Sequence, residues 1–404
     1  MSERLRLVVV GGLGAMPFAG VAWQVLQYVG GFRRLGHEVF YLEDTGSWPY
    51  DPDRDTVSDD ARPTIAYVAR LLERVGLGAA WAYRDGVEDR KTHGVSEEQL
   101  QQTLGSADAL VNVSGATVLR DEHLQVPVRI YLETDPVLPQ IEVEQGNEFT
   151  INLLAAHTHH FTYGENVGAP DCDVPTGRFR YRPTRPPVVL DWWTPLAGDF
   201  ASRPFTTVSN WEQTEKDVEW RGRLYRWSKH AEFQRFLELP AVLDRALELA
   251  LALDDADTIA MLEAAGWRVV PAGPLSKDVD RYRDYIRSSA GEFSVAKEQY
   301  VSLRTGWFSD RTACYLAAGR PAVVQDTAFG CALPTGEGLF AFDDFDDVVA
   351  AFAEIDADYS RHSDAARALA EEYLDSERVL GRLLQDAGLP AGRRGEPAPE
   401  AGGP

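Results

Sequence analysis

The first fifty residues contain one complete β-α-β unit. An apolar run from Leu7 to Val10 leads into a glycine-rich turn, Gly11 to Gly20. A helical stretch follows from Val21 to Leu35, Gly36 stops it, and a second strand covers Glu38 to Leu42. Two apolar strands joined by a crossover helix pair in parallel, since only antiparallel neighbours can share a tight turn. Parallel strands are covered by helices on both faces, which is why they read as continuous apolar runs. The fold class implied is doubly wound α/β.

The pattern continues along the chain. Thr64 to Val75 is periodic like a helix, Ala109 to Val113 and Val128 to Leu132 read as buried strands, and Phe149 to Ala156 is helical before a strand at His160 to Tyr163. Between Thr176 and Pro204 it breaks into an arginine- and proline-rich stretch ending near Trp192 and Trp193, which favours an extended connection. A strand at Phe205 to Val208 opens a second alternation. Val242 to Leu251 and Ala256 to Ala265 read as helices, Trp267 to Val270 as a strand, Asp310 to Ala318 as a helix and Pro321 to Gln325 as a strand. From Asp343 the chain reads as helical to about Gln385. Single cores stop growing at roughly 250 to 300 residues, so 404 residues are better met by two. The expected domains are residues 1–185 and 205–390, with a linker at 186–204 and a Gly/Pro/Glu-rich tail at 391–404 that reads as disordered. Ligands of such sheets lie beyond the carboxyl ends of the strands, so two facing domains enclose a cleft.

Charge and cysteine content narrow the partners. With 63 acidic and 40 basic side chains the formal charge is -23, which disfavours sequence-independent binding to a duplex, so nucleic acid is not an expected partner. Cys172, Cys314 and Cys331 are too dispersed for a zinc knuckle and too few for a disulfide scaffold, and a reducing compartment is expected. Met1 to Arg6 runs into the first strand without a secretory signal, and no run approaches the roughly 20 apolar residues of a membrane span. The expected location is the cytoplasm. The oligomeric state is open, a homodimer included.

Two turns are candidates for chemistry. In Gly11 to Gly20, Gly12 and Gly14 fit the first two glycines of a dinucleotide fingerprint, but Pro17 takes the third position and Glu43 comes too late. A nicotinamide oxidoreductase is therefore disfavoured. The loop, at Gly14 in particular, can still bring its backbone to a substrate, or can simply pack strand on helix. The second turn runs from Thr305 to Thr327. Ser309 is a good N-cap, so the amides of Asp310 and Arg311 open a helix whose first turn suits a phosphate. Arg311 can add a guanidinium fork. Gly319-Arg320-Pro321 ends the helix, and the next strand delivers Gln325, Asp326 and Thr327 toward the cleft, where polar groups suit sugar hydroxyls.

Thr305 to Thr327, with Gly291 to Lys297 before it and Leu333 to Leu339 after it, resembles the donor-binding half of GT-B glycosyltransferases, the spore-protein-like members included. Leu7 to Gly46 resembles their first half more weakly. The resemblance implies two Rossmann-like domains facing across a cleft and a hexosyl transfer from a nucleotide diphosphate sugar, UDP- or dTDP-linked in the commonest case, to a small-molecule or carbohydrate acceptor. It implies no resident cofactor and no metal ion. By the same resemblance Lys297 and Arg311 contact the diphosphate, Ser294 and Ser309 donate hydroxyl bonds, and the backbone of Val270 to Gly273 walls the base. The chain departs from the family pattern at two carboxylate positions, which fall on Gly306 and Cys314. The first N-terminal loop also lacks the His or Asp that inverting members often carry.

A general base must therefore come from elsewhere. Asp135 leaves a buried strand at its carboxyl end and is the leading candidate, with Glu133 and Asp44 behind it; turn or cap roles compete for each. His157 and His159 are further candidates for base or acceptor contact. Together with His160 they do not share one helical face, so a metal site is not expected. Trp192, Trp193, Trp211, Trp220, Tyr225 and Trp227 suit acceptor binding or, with greater weight, domain packing. A sugar-nucleotide epimerase of the same fold and a non-catalytic sugar-nucleotide-binding protein are the rival readings.

Overall fold

The computed structural model describes residues 4–88 and 90–392; most of the expected tail, residues 393–404, lies outside them. Two parallel sheets carry the chain. In the first the spatial order is Tyr181–Pro183, His159–Thr162, Val128–Glu133, Ala109–Val113, Arg6–Val10, Glu38–Glu43, Trp81–Asp85 and Lys91–Gly94. Only the last of these strands runs antiparallel to its neighbour. The second sheet is parallel throughout, in the order Arg268–Pro271, Leu247–Ala252, Phe205–Asn210, Gly291–Ser294, Ala322–Gln325 and Leu339–Phe342. The strands at the centre of each sheet are buried along nearly their whole length, as continuous apolar runs require.

The stretch expected as a helix at Val242 to Leu251 is instead the strand Leu247–Ala252. Its Leu-Glu-Leu-Ala-Leu-Ala composition favours a helix locally. Two neighbours, Phe205–Asn210 and Arg268–Pro271, pair with it and bury Leu247, Leu249 and Leu251 to 2% exposure or less, and tertiary pairing overrides propensity.

The halves are fastened in several places. Leu190–Trp193 forms a short 3-10 turn whose two tryptophans are buried against Trp23, with ring centroids 6.0 and 5.1 Å away, so here the linker aromatics pack the halves together. The last helix, Ser376–Asp386, returns to lie across the first, Ala19–Arg34. Gly31 makes that crossing possible, since a Cβ there would come within 2.5 Å of Leu380 and 2.8 Å of Ser376. On the opposite side, the Asn166 amide donates to the Thr305 carbonyl at 3.0 Å and Gly164 bridges Trp307. No helix among the described residues is long and apolar enough to cross a membrane.

Candidate functional site

The carboxyl ends of both sheets open on one cavity of about 950 Å³, with Phe18 and Tyr50 on one wall and Lys229, Lys297, Ser309 and Arg311 on the other. A volume of that order accommodates a drug-sized ligand with room to spare. Val208 to Asn210, Leu251 to Asp254 and Pro271 to Gly273 continue the second wall, so the backbone expected to face a base lines the same space.

Helix Asp310–Ala317 points its amino end into the cavity, and Ser309 caps it, its Oγ accepting the Arg311 amide at 3.2 Å. The Arg311 guanidinium, though on the wall, is taken up by protein groups. Nε donates to Glu292 at 2.6 Å, one terminal nitrogen to the Val208 carbonyl at 2.6 Å and the other to Ser294 Oγ at 2.7 Å. The guanidinium thus ties two neighbouring strands together, and the fork expected for a phosphate is already engaged. Ser294 is likewise engaged, passing its own hydrogen to the Val295 carbonyl at 3.2 Å.

Gln325, Asp326 and Thr327 line or flank the same corner, yet each first serves the turn. Gln325 accepts the Ala296 amide at 3.0 Å and donates to Glu232 at 2.6 Å; Asp326 accepts the Ala328 amide at 2.8 Å; Thr327 donates to the Trp307 carbonyl at 2.6 Å. Asp310 faces the first half, where Gln24 donates to it at 2.8 Å, and burial pushes its carboxyl up to about 6. Gly306, one of the positions where the family carries a carboxylate, has φ +73 and lies against Asn166, whose amide nitrogen would be 2.4 Å from a Cβ. No side chain fits there. Cys314, at the other position, is a buried thiol pushed up by burial.

The cation that the sequence did not single out is Lys229. It is only 9% exposed, lines the cavity beside Ser309, and its ammonium makes no hydrogen bond or ion pair among the described residues. Burial, with Arg311 and Lys297 nearby, holds it well below the usual lysine range. A buried, unpaired ammonium is costly and calls for an anion. Its local sequence, Ser228-Lys229-His230, shows no periodicity or motif that marks it.

Lys297 is brought to the cavity and meets Asp135 from the other half at 2.9 Å. Lys216 reaches the other oxygen of the same carboxylate at 3.0 Å, and the Tyr300 hydroxyl donates to it as well. Burial opposes the charge on Asp135, but Lys297 and Lys216 outweigh it and hold the carboxyl well below its usual range. While both lysines stay, that carboxylate is a weak proton acceptor. Lys297 itself is pushed down to about 8 by burial. The loop is strained: Val137, β-branched and fully buried, sits at φ +99.

The glycine-rich turn is not open to a ligand at Gly14. Its amide donates to the Glu43 carboxylate at 2.9 Å, the Ala15 amide donates to it at 2.7 Å, and the Tyr41 hydroxyl at 2.8 Å. Burial raises that carboxyl to about 7. A Cβ on Gly14 would come within 2.4 Å of Thr64, so this glycine allows a close approach of backbone to protein. The anion of the first turn is its own Glu43.

His157 and His159 are not brought to the cleft. His159 opens the strand His159–Thr162 in register with Ile130, so it lies toward the amino ends of the strands. His157 is buried before it, its Nδ1 2.9 Å from the Leu153 carbonyl oxygen, and burial pushes it down to about 4. His160 stands on the expected strand, which begins one residue earlier, at His159. Glu133 is buried under Gln140, which donates to it at 2.6 Å, and burial raises it to about 8. Asp44 joins Glu122 and His123 in the one group of metal-ligating spacing among the described residues, but Arg84, Arg90 and Arg120 all pair with Asp44. Three guanidinium groups already neutralise that cluster and leave a cation little to gain.

No family model and no curated protein matches the chain. Its structure is nevertheless similar to solved glycosyltransferases over nearly the whole length. An alpha-glucosyltransferase in complex with UDP and a 13-mer DNA matches at TM-score 0.57 and 10% identity, covering 96% of this chain and 100% of that one. HepE from Anabaena, in complex with UDP and glucose, matches at 0.55 and 10%, covering 95% and 100%. AviGT4, a glycosyltransferase involved in avilamycin A biosynthesis, matches at 0.54 and 16%, covering 95% and 97%. At such identities the likeness establishes the fold, and the fold is GT-B: two Rossmann-like domains facing across a cleft.

Proposed function

We propose that this protein transfers a sugar from a nucleotide diphosphate sugar, held mainly by the second half, to an acceptor presented by the first. The observation that carries the reading is Lys229, a buried ammonium with no hydrogen bond or ion pair among the described residues, beside the amino end of helix Asp310–Ala317 in the inter-domain cavity. In the transfer the bond between the anomeric carbon and the diphosphate oxygen breaks, and its electron pair leaves with the nucleotide. The acceptor oxygen bonds to that carbon and gives up its proton. Negative charge grows on the leaving oxygens, and Lys229, Lys297 and the helix dipole stabilise it there.

Solved neighbours bind UDP or UDP-glucose, which supports a UDP-sugar as the first donor to try. The net charge of -23 supports a small-molecule or carbohydrate acceptor over the DNA bound by one neighbour. We read the transfer as hexosyl and independent of a metal ion, because the lysines and helix end supply the charge that a metal would.

Thermal shift with a panel of nucleotide sugars tests the reading. A ligand specific to the folded state at 100 times its Kd stabilises by about 2.7 kcal/mol. No shift with any nucleoside diphosphate or nucleotide sugar, and no change on adding a divalent cation, would remove the reading. Incubation of the responding donor alone separates transfer from epimerisation, since an epimerase needs no acceptor.

A further inference from the structure

Asp135 lies where a ligand's anion would be well held. Three groups hold it, all from the second half of the chain: the amines of Lys216 and Lys297 at 3.0 and 2.9 Å and the Tyr300 hydroxyl, and the two amines also lie over the face of Trp227, 4.8 and 3.8 Å from its ring centroid. Two point charges and a hydroxyl converge on the space filled by one carboxylate from the opposite domain. The loop that delivers the carboxylate is strained at Val137, with φ +99, so Asp135 is held there against a local cost. Lys297 shares its cavity with Lys229, which is nine-tenths buried and has no hydrogen-bond or ion-pair partner among the described residues. The cavity therefore presents Lys229 and, beside it, Lys297, which shares with Lys216 a carboxylate from across the cleft.

We infer that Lys216 and Lys297 form the subsite for the distal phosphate of a nucleoside diphosphate, and that Asp135, steadied there by the Tyr300 hydroxyl, is its internal placeholder, displaced when the diphosphate binds. This rests on the nucleotide-sugar reading. A phosphate brings more charge and more acceptor oxygens than a carboxylate, and in the same cavity it also reaches Lys229, so the exchange favours the ligand. Asp135, released from both lysines, is then left at the carboxyl edge of the first sheet as an unpaired carboxylate on the acceptor's side. Donor binding thereby prepares the acceptor side, and substrates bind in order, donor first.

Titration calorimetry of the full chain with UDP, and with UMP as the probe lacking a distal phosphate, tests this. Removal of a competing carboxylate makes Asp135→Asn bind UDP about fivefold or more tightly, while UMP affinity changes by less than about twofold. Tyr300→Phe, which keeps the ring and loosens only the carboxylate, tightens UDP binding by about twofold, and Lys216→Met weakens it by about tenfold. If Asp135→Asn does not fold, Tyr300→Phe and Lys216→Met carry the decision. Unchanged or weaker UDP binding in Asp135→Asn and Tyr300→Phe, or an equal gain for UMP, overturns the placeholder while leaving the nucleotide-sugar reading intact. A wild-type chain that binds none of UDP, dTDP and GDP overturns both.

Discussion

Two turns of this molecule open helices toward the same cleft, and their contents differ. In the first half, the amides of Gly14 and Ala15 converge on the buried carboxylate of Glu43, a few residues along the neighbouring strand in space. In the second, Ser309 caps the helix, the nearby carboxylate Glu292 is consumed by Arg311, and an unpaired Lys229 remains. Amide donors at a turn are a site only when the protein supplies no anion of its own. A turn that binds itself is structure, and one that leaves positive charge unmatched is prepared for a ligand.

The largest expected effect on this contrast comes from Lys229→Met. Loss of a charge-assisted phosphate contact costs about 3 kcal/mol, or roughly 100-fold in nucleotide affinity, by titration calorimetry. The same variant melts higher than wild type, because an uncompensated buried charge has gone. A variant that binds normally, or that melts lower, breaks the contrast from the second-half side.

Glu43→Gln tests the other side. The Glu43 carboxyl is raised to about 7 from 4.5 by burial, so the folded state favours the protonated form. Its contribution is fully present below about pH 4.5 and is lost as pH rises toward 7. The stability of wild type relative to Glu43→Gln therefore falls by about 3 kcal/mol between pH 4.5 and 7.5, measured by denaturant titration. A flat difference would mean that burial does not hold the Glu43 carboxyl above its usual range.

Gly14→Ala sharpens the same point with a smaller effect. The new methyl meets Thr64, and overpacking of this kind costs about 2 kcal/mol of stability, while nucleotide affinity stays within about twofold. Smallest of all, His159→Ala, at the far end of its strand, leaves turnover within about twofold of wild type. A tenfold loss there would place chemistry where the structure shows none.

Much of the fold was legible because buried parallel strands announce themselves as apolar runs. The exception, Leu247–Ala252, shows the limit: Leu, Glu and Ala favour a helix alone, and only the two flanking strands make it a strand. The helix at Ser309 was legible from a local signal, a capping residue before a periodic stretch. Lys229 was not, since nothing within several residues encodes that it will be buried. Nor was the engagement of Asp135, whose partner Lys297 is 162 residues away. The glycine-rich turn misled for the same reason: its decisive partner, Glu43, lies 29 residues beyond Gly14. Local chemistry shows which groups are available, and only the tertiary fold shows which are already spent.

The return of helix Ser376–Asp386 onto the first helix bears on how the chain comes apart. Its apolar residues join one continuous core with Leu7, Phe32, Trp193 and Tyr315, so this helix is a structural member of the first sheet's layer. Neither half can be expressed alone with its hydrophobic surface closed. Melting is expected to couple the two sheets into one cooperative event, and during synthesis the amino-terminal half stays incomplete until this helix has been made.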